Sequence, residues 1–222
     1  MLEIFIAKPN LSQDEFACLL MHISSEKRDR INRYNFFRDA QNTLIGDILV
    51  RSAIYKRTGL SNSRQIFSAN EYGKPYLVND PQIHFNISHA GNFVAAVIDD
   101  KAVGVDIELI SPIDLKIAER FFAADERDYI FSRSAEWQQR AFFEVWTKKE
   151  SRIKWEGIGL SKPLPSFSVF DQGDDDPHYH CIFEDNDAIC HVCTIRKDEI
   201  KCNMIKIEDL LYFAADAYFL QH

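Results

Sequence analysis

The segment Val103–Leu109 constrains the fold more than any other part of the chain, because apolar residues alternate in it with small or acidic ones. Side chains of a strand point alternately to its two faces, so Gly104, Asp106 and Glu108 are predicted to share one face. The apolar face is expected to cover the core. The opposite face then carries two carboxylates, which repel each other unless a cation lies between them. Gly104 is expected to leave room there for a ligand to approach the backbone.

Two preceding segments complete a predicted β-meander. Ile83–His89 alternates in the same way and places Asn86 and Ser88 on one face. A short turn follows, so Phe93–Asp99 is expected to return as an antiparallel partner. A second turn leads into Val103–Leu109, which the pattern predicts as the third strand.

The longest helical patterns are Phe36–Arg57 and Trp137–Gly157, and Gly59 is expected to end the first of them. Ser12 and Glu15 form a capping-box pattern at the start of an earlier helix. The other predicted helices are a basic one from Ser24 or Ser25 and two at 112–122 and 124–131. The other predicted strands lie at 2–7, 66–67, 167–170, 179–183, 188–196 and 201–207. A turn at 71–77 is expected to lead into a further strand, and an apolar segment covers 210–220.

The order of these elements is helix-rich and then strand-rich, twice over. This order predicts an α+β fold, with two similar halves that meet near residues 100–110. A length of 222 residues suits one large domain or two small ones, and 46% hydrophobic residues suffice for a substantial core. We expect the halves to cover residues 1–102 and 103–222, although no sequence repeat relates them.

Charge and composition narrow the possible functions. The net charge of −8 gives no support for nucleic-acid binding, so an anionic ligand would need a local basic cluster. The first six residues lack the basic start of a secretory signal, and no apolar run is long enough to span a membrane. The five cysteines imply no disulfide framework. We therefore expect a cytoplasmic protein that binds neither nucleic acid nor membrane.

A second acidic position lies on the predicted helix 137–157. Trp146, Glu150 and Lys154 recur every four residues and share a face. If this face meets Asp106 and Glu108, three carboxylates and one lysine would suit Mg²⁺ and a phosphate. Each piece alone has an ordinary alternative: two acids on a solvated strand face, or a surface Glu–Lys helix pair that contributes about 0.2–0.5 kcal/mol.

The two segments together resemble the paired signatures of the Sfp-type 4′-phosphopantetheinyl transferases, in the surfactin-synthetase-activating branch. The first signature matches Val103–Asp106 with Glu108, and the second matches Trp146–Lys154, about 40 residues later. The likeness covers most of residues 1–170. It also includes Tyr72–Pro75, Phe85–His89, Ala40–Arg51 and Gly157–Ser161.

The resemblance implies a fold and a reaction. The fold would be two similar α/β halves packed with pseudo-twofold symmetry. The enzyme would move the 4′-phosphopantetheine arm of coenzyme A to a serine of an apo carrier protein and release 3′,5′-ADP. Asp106, Glu108 and Glu150 would hold Mg²⁺, or Mn²⁺, against the pyrophosphate. Glu150 would take the serine proton, and Lys154 would steady or protonate the leaving phosphate.

The resemblance also implies contacts to coenzyme A in the first half. Positions that grip the 3′-phosphate match Lys27, Arg30 and Thr43. Phosphate and adenine contacts match Ser88, His89 and a Gly-Lys-Pro turn that contains Lys74 and Pro75. Asn42 stands where many relatives carry a basic residue, so one phosphate contact is expected to be absent or moved.

The partner implied is an apo carrier domain of a peptide, polyketide or fatty-acid synthase, and the enzyme that acts on it is expected to be a monomer. The family suggests docking at 113–122 and 154–164, where Ile117 or Phe121 would contact the carrier; packing in the core is the alternative for both. The sequence does not identify the natural carrier.

Three other interpretations stay open. The Cys- and His-rich stretch 178–193 suggests zinc, but Cys190 and Cys193 point to opposite faces of a strand. A metal nuclease would need a lysine two residues after Glu108, and Ile110 stands there. A carrier-binding module without catalysis is the third interpretation, and it predicts no metal-dependent turnover.

Overall fold

The computed structural model describes residues 2–171, 173, 175–197, 200 and 202–212, and it consists of two halves, in each of which a strand is followed by three helices and then by a hairpin or hairpins. The first half contains β1 (Glu3–Ala7), α1 (Gln13–Leu20), α2 (Ser25–Ile31), α3 (Phe37–Thr58), β2 (Phe67–Ala69), β3 (Pro75–Leu77), β4 (His84–Ala90) and β5 (Phe93–Asp99). The second contains β6 (Val103–Leu109), α4 (Ile117–Phe121), α5 (Ala124–Phe131), α6 (Ala135–Glu156), β7 (His178–Glu184), β8 (Ala188–Thr194) and β9 (Cys202–Ile205). Short 3₁₀ turns lie at Asn62–Arg64, Gly159–Ser161 and Leu164–Ser166.

The helix ends follow the signals seen in the sequence. Ser12 and Glu15 form the predicted capping box at the start of α1, and Ser24 caps α2. The two long helices, α3 and α6, have 22 residues each. Each ends at a glycine in the left-handed conformation, Gly59 or Gly157, both with φ of 71°. Glycine adopts this conformation without the steric cost that a Cβ atom brings.

Each half contributes three antiparallel strands with the same connectivity, and β2 and β3 form a separate two-stranded sheet in the first half. The first sheet has the order β4-β5-β1-β9 and the second has the order β6-β8-β7. In both, the first strand of the half pairs with the last strand of its closing hairpin. β9 then adds to the first sheet, parallel to β1. This arrangement confirms the predicted α+β fold of two similar halves.

The predicted three-strand meander is wrong in one respect. β4 and β5 form the expected hairpin, but β6 leaves that sheet and pairs with β8. Two β6 amides face β4 and bond to its side chains: Val105 N donates to Asn86 Oδ1 and Ile107 N to Ser88 Oγ. Alternation predicts which residues share a face, but it does not predict which strand lies alongside.

The core consists of three clusters of buried hydrophobic residues. α3 packs on one face of the first sheet through residues such as Leu44, Ile48 and Phe85. The other face of this sheet packs against the apolar face of β6 and β8. A third cluster, which includes Phe122 and Phe142, joins α4, α5 and α6 to the outer side of the second sheet. The result is a helix, two sheets and a helix stacked in turn.

Two predicted elements differ from the structure. Helix 112–122 is shortened to α4, because the Asp114 carboxylate accepts a hydrogen bond from Lys116 N and forms a turn there. The predicted strand 167–170 is irregular, since side chains bind its backbone: Val169 N donates to Glu126, and Lys149 donates to the Phe167 carbonyl. Most of the apolar segment 210–220 lies outside the described residues. Within those residues, no helix is both long and apolar enough to cross a membrane.

Candidate active site

The strand β6 and the helix α6 touch because Gly104 has no side chain. A Cβ atom at Gly104 would lie 2.0 Å from the carbonyl oxygen of Ser151 and 2.4 Å from the amide nitrogen of Trp155. Both atoms belong to the backbone of α6. The expectation that Gly104 leaves room for a ligand is therefore wrong: the helix that carries Glu150 and Lys154 fills this space.

An open cavity of about 370 Å³, which we call the acidic cavity, lies where β4, β6 and α6 meet. It contains both predicted catalytic residues, all three predicted metal ligands and two predicted substrate contacts. Its lining is Ile87, Ser88, His89, Asp106, Glu108, Trp146, Glu150 and Lys154. The two sequence segments that predicted a joint site thus form one.

Asp106 is the most buried acid of this cavity, with 3% of its surface exposed. Its Oδ1 atom accepts hydrogen bonds from Ser88 Oγ at 2.9 Å and from Lys154 Nζ at 2.6 Å. Burial raises the pKa of Asp106, and these two donors oppose the rise. Its Oδ2 atom is buried and has no hydrogen-bond partner among the described residues.

The other two acids are also held in surroundings that disfavour their charge. Burial raises the pKa of Glu108 to about 7, and the nearby charge of Asp106 adds to the rise. The Trp146 indole donates a hydrogen bond to Glu108 and acts in the opposite direction. Burial and Asp106 likewise raise the pKa of Glu150. Three carboxylates so placed favour a positive charge among them.

These residues suit a hard divalent cation by their chemistry. Within the described ranges, no three His, Cys, Asp or Glu side chains already converge as a ligand set, so Glu108 and Glu150 would have to turn toward Asp106. Carboxylate oxygens are nevertheless the donors that Mg²⁺ and Mn²⁺ prefer. The unpartnered Asp106 Oδ2 is available as a ligand, and Lys154 already places one cation beside Oδ1.

A second cavity of about 210 Å³, the turn cavity, lies on the other side of Lys154. It is lined by Tyr72, Gly73, Lys74, Pro75, Asn86, Ile153, Lys154, Gly157 and Gly159. The predicted contacts Lys74 and Pro75 therefore lie next to the acidic cavity. The Lys74 ammonium, however, donates to three backbone carbonyl oxygens, those of Val103, Lys154 and Trp155.

The predicted contacts Lys27 and Arg30 lie in a third cavity of about 560 Å³, the basic cavity, whose lining also includes Arg33 and Arg51. Lys27 Nζ lies 2.5 Å from Asp47, and Arg51 lies 2.8 Å from the same carboxylate. Burial acts to raise the pKa of Asp47, but Arg51 and Lys27 outweigh it and keep the value below its usual range. Arg51 was not expected from the sequence, although its spacing of four from Asp47 on α3 was a signal.

Thr43 is the one predicted contact that, among the described residues, lines none of these three cavities. Its hydroxyl lies 3.3 Å from the Tyr34 hydroxyl. The neighbouring Asn42 donates to the Gly91 carbonyl at 2.8 Å, so it ties α3 to the β4–β5 turn.

The Cys- and His-rich hairpin β7–β8 contacts α6, the helix that carries Glu150 and Lys154. His191 Nδ1 lies 2.8 Å from the hydroxyl of Thr147 on α6, and burial lowers the pKa of His191 to about 3. Cys190 lies in the core between the sheets. The described residues offer no His/Cys cluster that could hold zinc.

The predicted carrier-docking residues Ile117 and Phe121 are partly buried and pack against the α4–α5–α6 core. This packing was the stated alternative for both, and docking there stays a prediction.

Comparison with family models gives two matches, one to each half of the chain. The model described as "4'-phosphopantetheinyl transferase, N-terminal" matches residues 8–100. The model described as "4'-phosphopantetheinyl transferase superfamily" matches residues 102–205, which include the whole acidic side of the cavity.

Curated relatives give the same result. The chain is 45% identical over 166 residues to the 4′-phosphopantetheinyl transferase Sfp of Bacillus subtilis (strain 168), covering 75% of this chain and 74% of that protein. It is 41% identical over 167 residues to the 4′-phosphopantetheinyl transferase gsp of Aneurinibacillus migulanus, covering 75% and 70%. It is 32% identical over 163 residues to the L-aminoadipate-semialdehyde dehydrogenase-phosphopantetheinyl transferase of Mus musculus, covering 67% and 53%.

Proposed function

Because the chain belongs to the 4′-phosphopantetheinyl transferase superfamily, we propose that it transfers the 4′-phosphopantetheine arm of coenzyme A to a serine of an apo carrier protein. The family predicted from the two motifs is thereby confirmed. The observation that carries the proposed mechanism is the convergence of Asp106, Glu108, Glu150 and Lys154 on one open cavity. In the reaction, the serine oxygen forms a bond to the β-phosphorus, and the bond to the bridging pyrophosphate oxygen breaks, releasing 3′,5′-ADP.

The three carboxylates of the acidic cavity would hold Mg²⁺ or Mn²⁺. The ion would neutralise charge on the pyrophosphate as the leaving group departs. Asp106 is suited to this role because its Oδ2 atom is buried and no group in the described part of the chain bonds to it. Lys154 balances part of the carboxylate charge by its bond to Oδ1.

Glu150 would accept the proton of the incoming serine, directly or through a water. Its side chain lines the acidic cavity together with Asp106 and Lys154, so a serine hydroxyl that enters this cavity would lie within its reach. Lys154 would donate a hydrogen bond or a proton to the leaving phosphate, since it lines both cavities and its ammonium bonds to Asp106 in the acidic cavity. Phosphoryl transfer depends mainly on such positioning and charge neutralisation.

Coenzyme A would bind across the three cavities. His89 and Ser88 lie at the edge of the acidic cavity, where phosphates would approach. Pro75 lines the turn cavity, which suits a flat base. Lys27 and Arg30 line the basic cavity, which suits the 3′-phosphate. Four expectations stay predictions from the sequence: the contact of Thr43 with the 3′-phosphate, a monomeric state, a cytoplasmic location and the boundary at residue 102.

The test is incubation with coenzyme A, Mg²⁺ and an apo peptidyl or acyl carrier protein, read by intact mass. We expect the carrier to gain one phosphopantetheine arm, and we expect EDTA to stop the gain. Glu150→Gln and Asp106→Ala should abolish turnover while circular dichroism stays that of the folded protein. Testing apo carriers from peptide, polyketide and fatty-acid synthases would identify the preferred class.

The alternatives give different outcomes in the same experiment. A carrier-binding module would bind the carrier without changing its mass. A nuclease would release nucleotides from DNA. No mass gain on any of the carriers would refute the proposed transfer, and full activity of Glu150→Gln would remove this residue from the mechanism.

A further inference from the structure

A turn of the first half is fastened to the end of a helix in the second half. We call residues 70–74, between β2 and β3, the clamp turn. Its Lys74 Nζ donates to the carbonyl oxygens of Lys154 at 2.5 Å and Trp155 at 3.2 Å, both in the last turn of α6. It also donates to the carbonyl of Val103, the first residue of β6, at 3.2 Å.

Asn70 makes the same connection independently. Its Nδ2 donates to the carbonyl of Gly157, the residue that ends α6, at 2.8 Å. Its Oδ1 accepts from the amides of Tyr72 and Lys74, which fixes the shape of the turn. The clamp turn therefore binds three carbonyls at one helix end.

The chemistry of a helix end explains this contact. The last carbonyls of a helix lack partners within it and carry partial negative charge, so a cation there is stabilising. An ammonium has three N–H donors, and three carbonyls occupy those of Lys74. Burial lowers the pKa of this ammonium to about 8. No donor of Lys74 is left for a phosphate in this arrangement.

We propose that Lys74 is a positioning residue, which holds Lys154 and the end of α6 against β6, and that it is not a ligand of the coenzyme A phosphates. This inference rests on the proposed function, because Lys154 matters for turnover only if it acts on the leaving phosphate. It replaces the phosphate contact that the family resemblance implied for Lys74. The clamp also joins the two walls of the turn cavity, one from each half.

The test separates positioning from phosphate binding. Lys74→Met removes the ammonium and keeps the length of the side chain. Positioning predicts that the turnover number at saturating coenzyme A falls about tenfold or more, while the Kd of coenzyme A, measured without carrier, changes less than about threefold. A phosphate ligand predicts the reverse: a Kd raised about tenfold or more with turnover at saturation retained.

Asn70→Ala is the second variant, because it loosens the same clamp without removing a charge. It should lower turnover in the same direction, by less, and leave the Kd unchanged. Lys101→Met is the matched control, since Lys101 is an exposed lysine near β6, and it should behave as the unaltered enzyme. Unchanged turnover in Asn70→Ala and Lys74→Met would overturn the proposal.

Failure of the proposed function can be distinguished from failure of the clamp proposal. If the unaltered enzyme transfers nothing, that function fails, and thermal unfolding without substrate still tests the clamp. Lys74→Met and Asn70→Ala should then unfold at lower temperature than Lys101→Met. Equal midpoints for all three would show that the clamp does not hold the helix end.

Discussion

At the scale of single residues, the two motifs predicted the acidic cavity well but predicted side-chain directions poorly. Asp106, Glu108, Glu150 and Lys154 line one cavity, because strand and helix periodicities give the faces on which they lie. The direction of Lys74 could not be predicted in this way. Its partners are carbonyls of α6, about 80 residues later, and periodicity carries no information about such distant backbone groups.

Gly104 offers the sharpest test at this scale. In Gly104→Ala, the new Cβ would collide with the backbone of α6, which cannot move as a side-chain tip would. We expect a loss of about 3 kcal/mol or more in the free energy of unfolding, measured with urea, together with loss of turnover. Gly173→Ala is the control: its Cβ would be 3.4 Å from the Asp176 carboxylate, and we expect a change within about 0.5 kcal/mol. Equal stability of both variants would show that α6 tolerates displacement.

At the scale of elements, the sequence predicted the helices and hairpins, but it did not predict how irregular segments are held. The segment 164–169 was expected to be a strand in part. It is held instead by Lys149, whose ammonium lies 2.8 Å from Glu126 and donates to the carbonyls of Leu164 and Phe167. Both charged side chains are fully buried. In the sequence, Lys149 resembles a surface charge, because its partner Glu126 lies on a different helix, α5.

This ion pair predicts a large and specific loss of stability. Lys149→Met would leave Glu126 buried without its counter-ion, at a cost of about 3–5 kcal/mol in urea unfolding. Lys149→Met combined with Glu126→Gln should recover more than half of the loss, because no buried charge remains. The neighbouring variant Lys148→Met breaks a partly exposed pair with Glu144 and should cost about 1 kcal/mol or less. A similar loss for Lys148→Met and Lys149→Met would contradict the role of burial.

At the scale of the whole molecule, the two halves share structure that neither can complete alone. Ile4, Ile6 and Val97 of the first sheet pack against β6 and β8 of the second. Arg196, after β8, binds the Asp99 carboxylate at the end of β5. The order of elements in the sequence indicated two halves. It did not indicate that β9 of the second half adds to the sheet of the first half, because parallel pairing between distant segments leaves no local sequence pattern.

This sharing predicts that the first half does not fold alone. A fragment of residues 1–102 would expose the apolar face that the second sheet covers, and it would lack β9. We expect no cooperative urea transition for the fragment, whereas the full chain should unfold in one transition. Adding the fragment 103–222 should restore a transition. A cooperative transition of the first fragment alone would show that the halves are independent domains.

The position of β9 also bears on how the chain forms during synthesis. β1 is translated well before β9, which is one of its two neighbours in the sheet, and Asn203 Nδ2 reaches the Ile4 carbonyl across 199 residues of sequence. Contacts between such distant segments are slow to form. One edge of β1 therefore stays open until β9 has been translated, so this edge is the place where a nascent chain would most benefit from a chaperone.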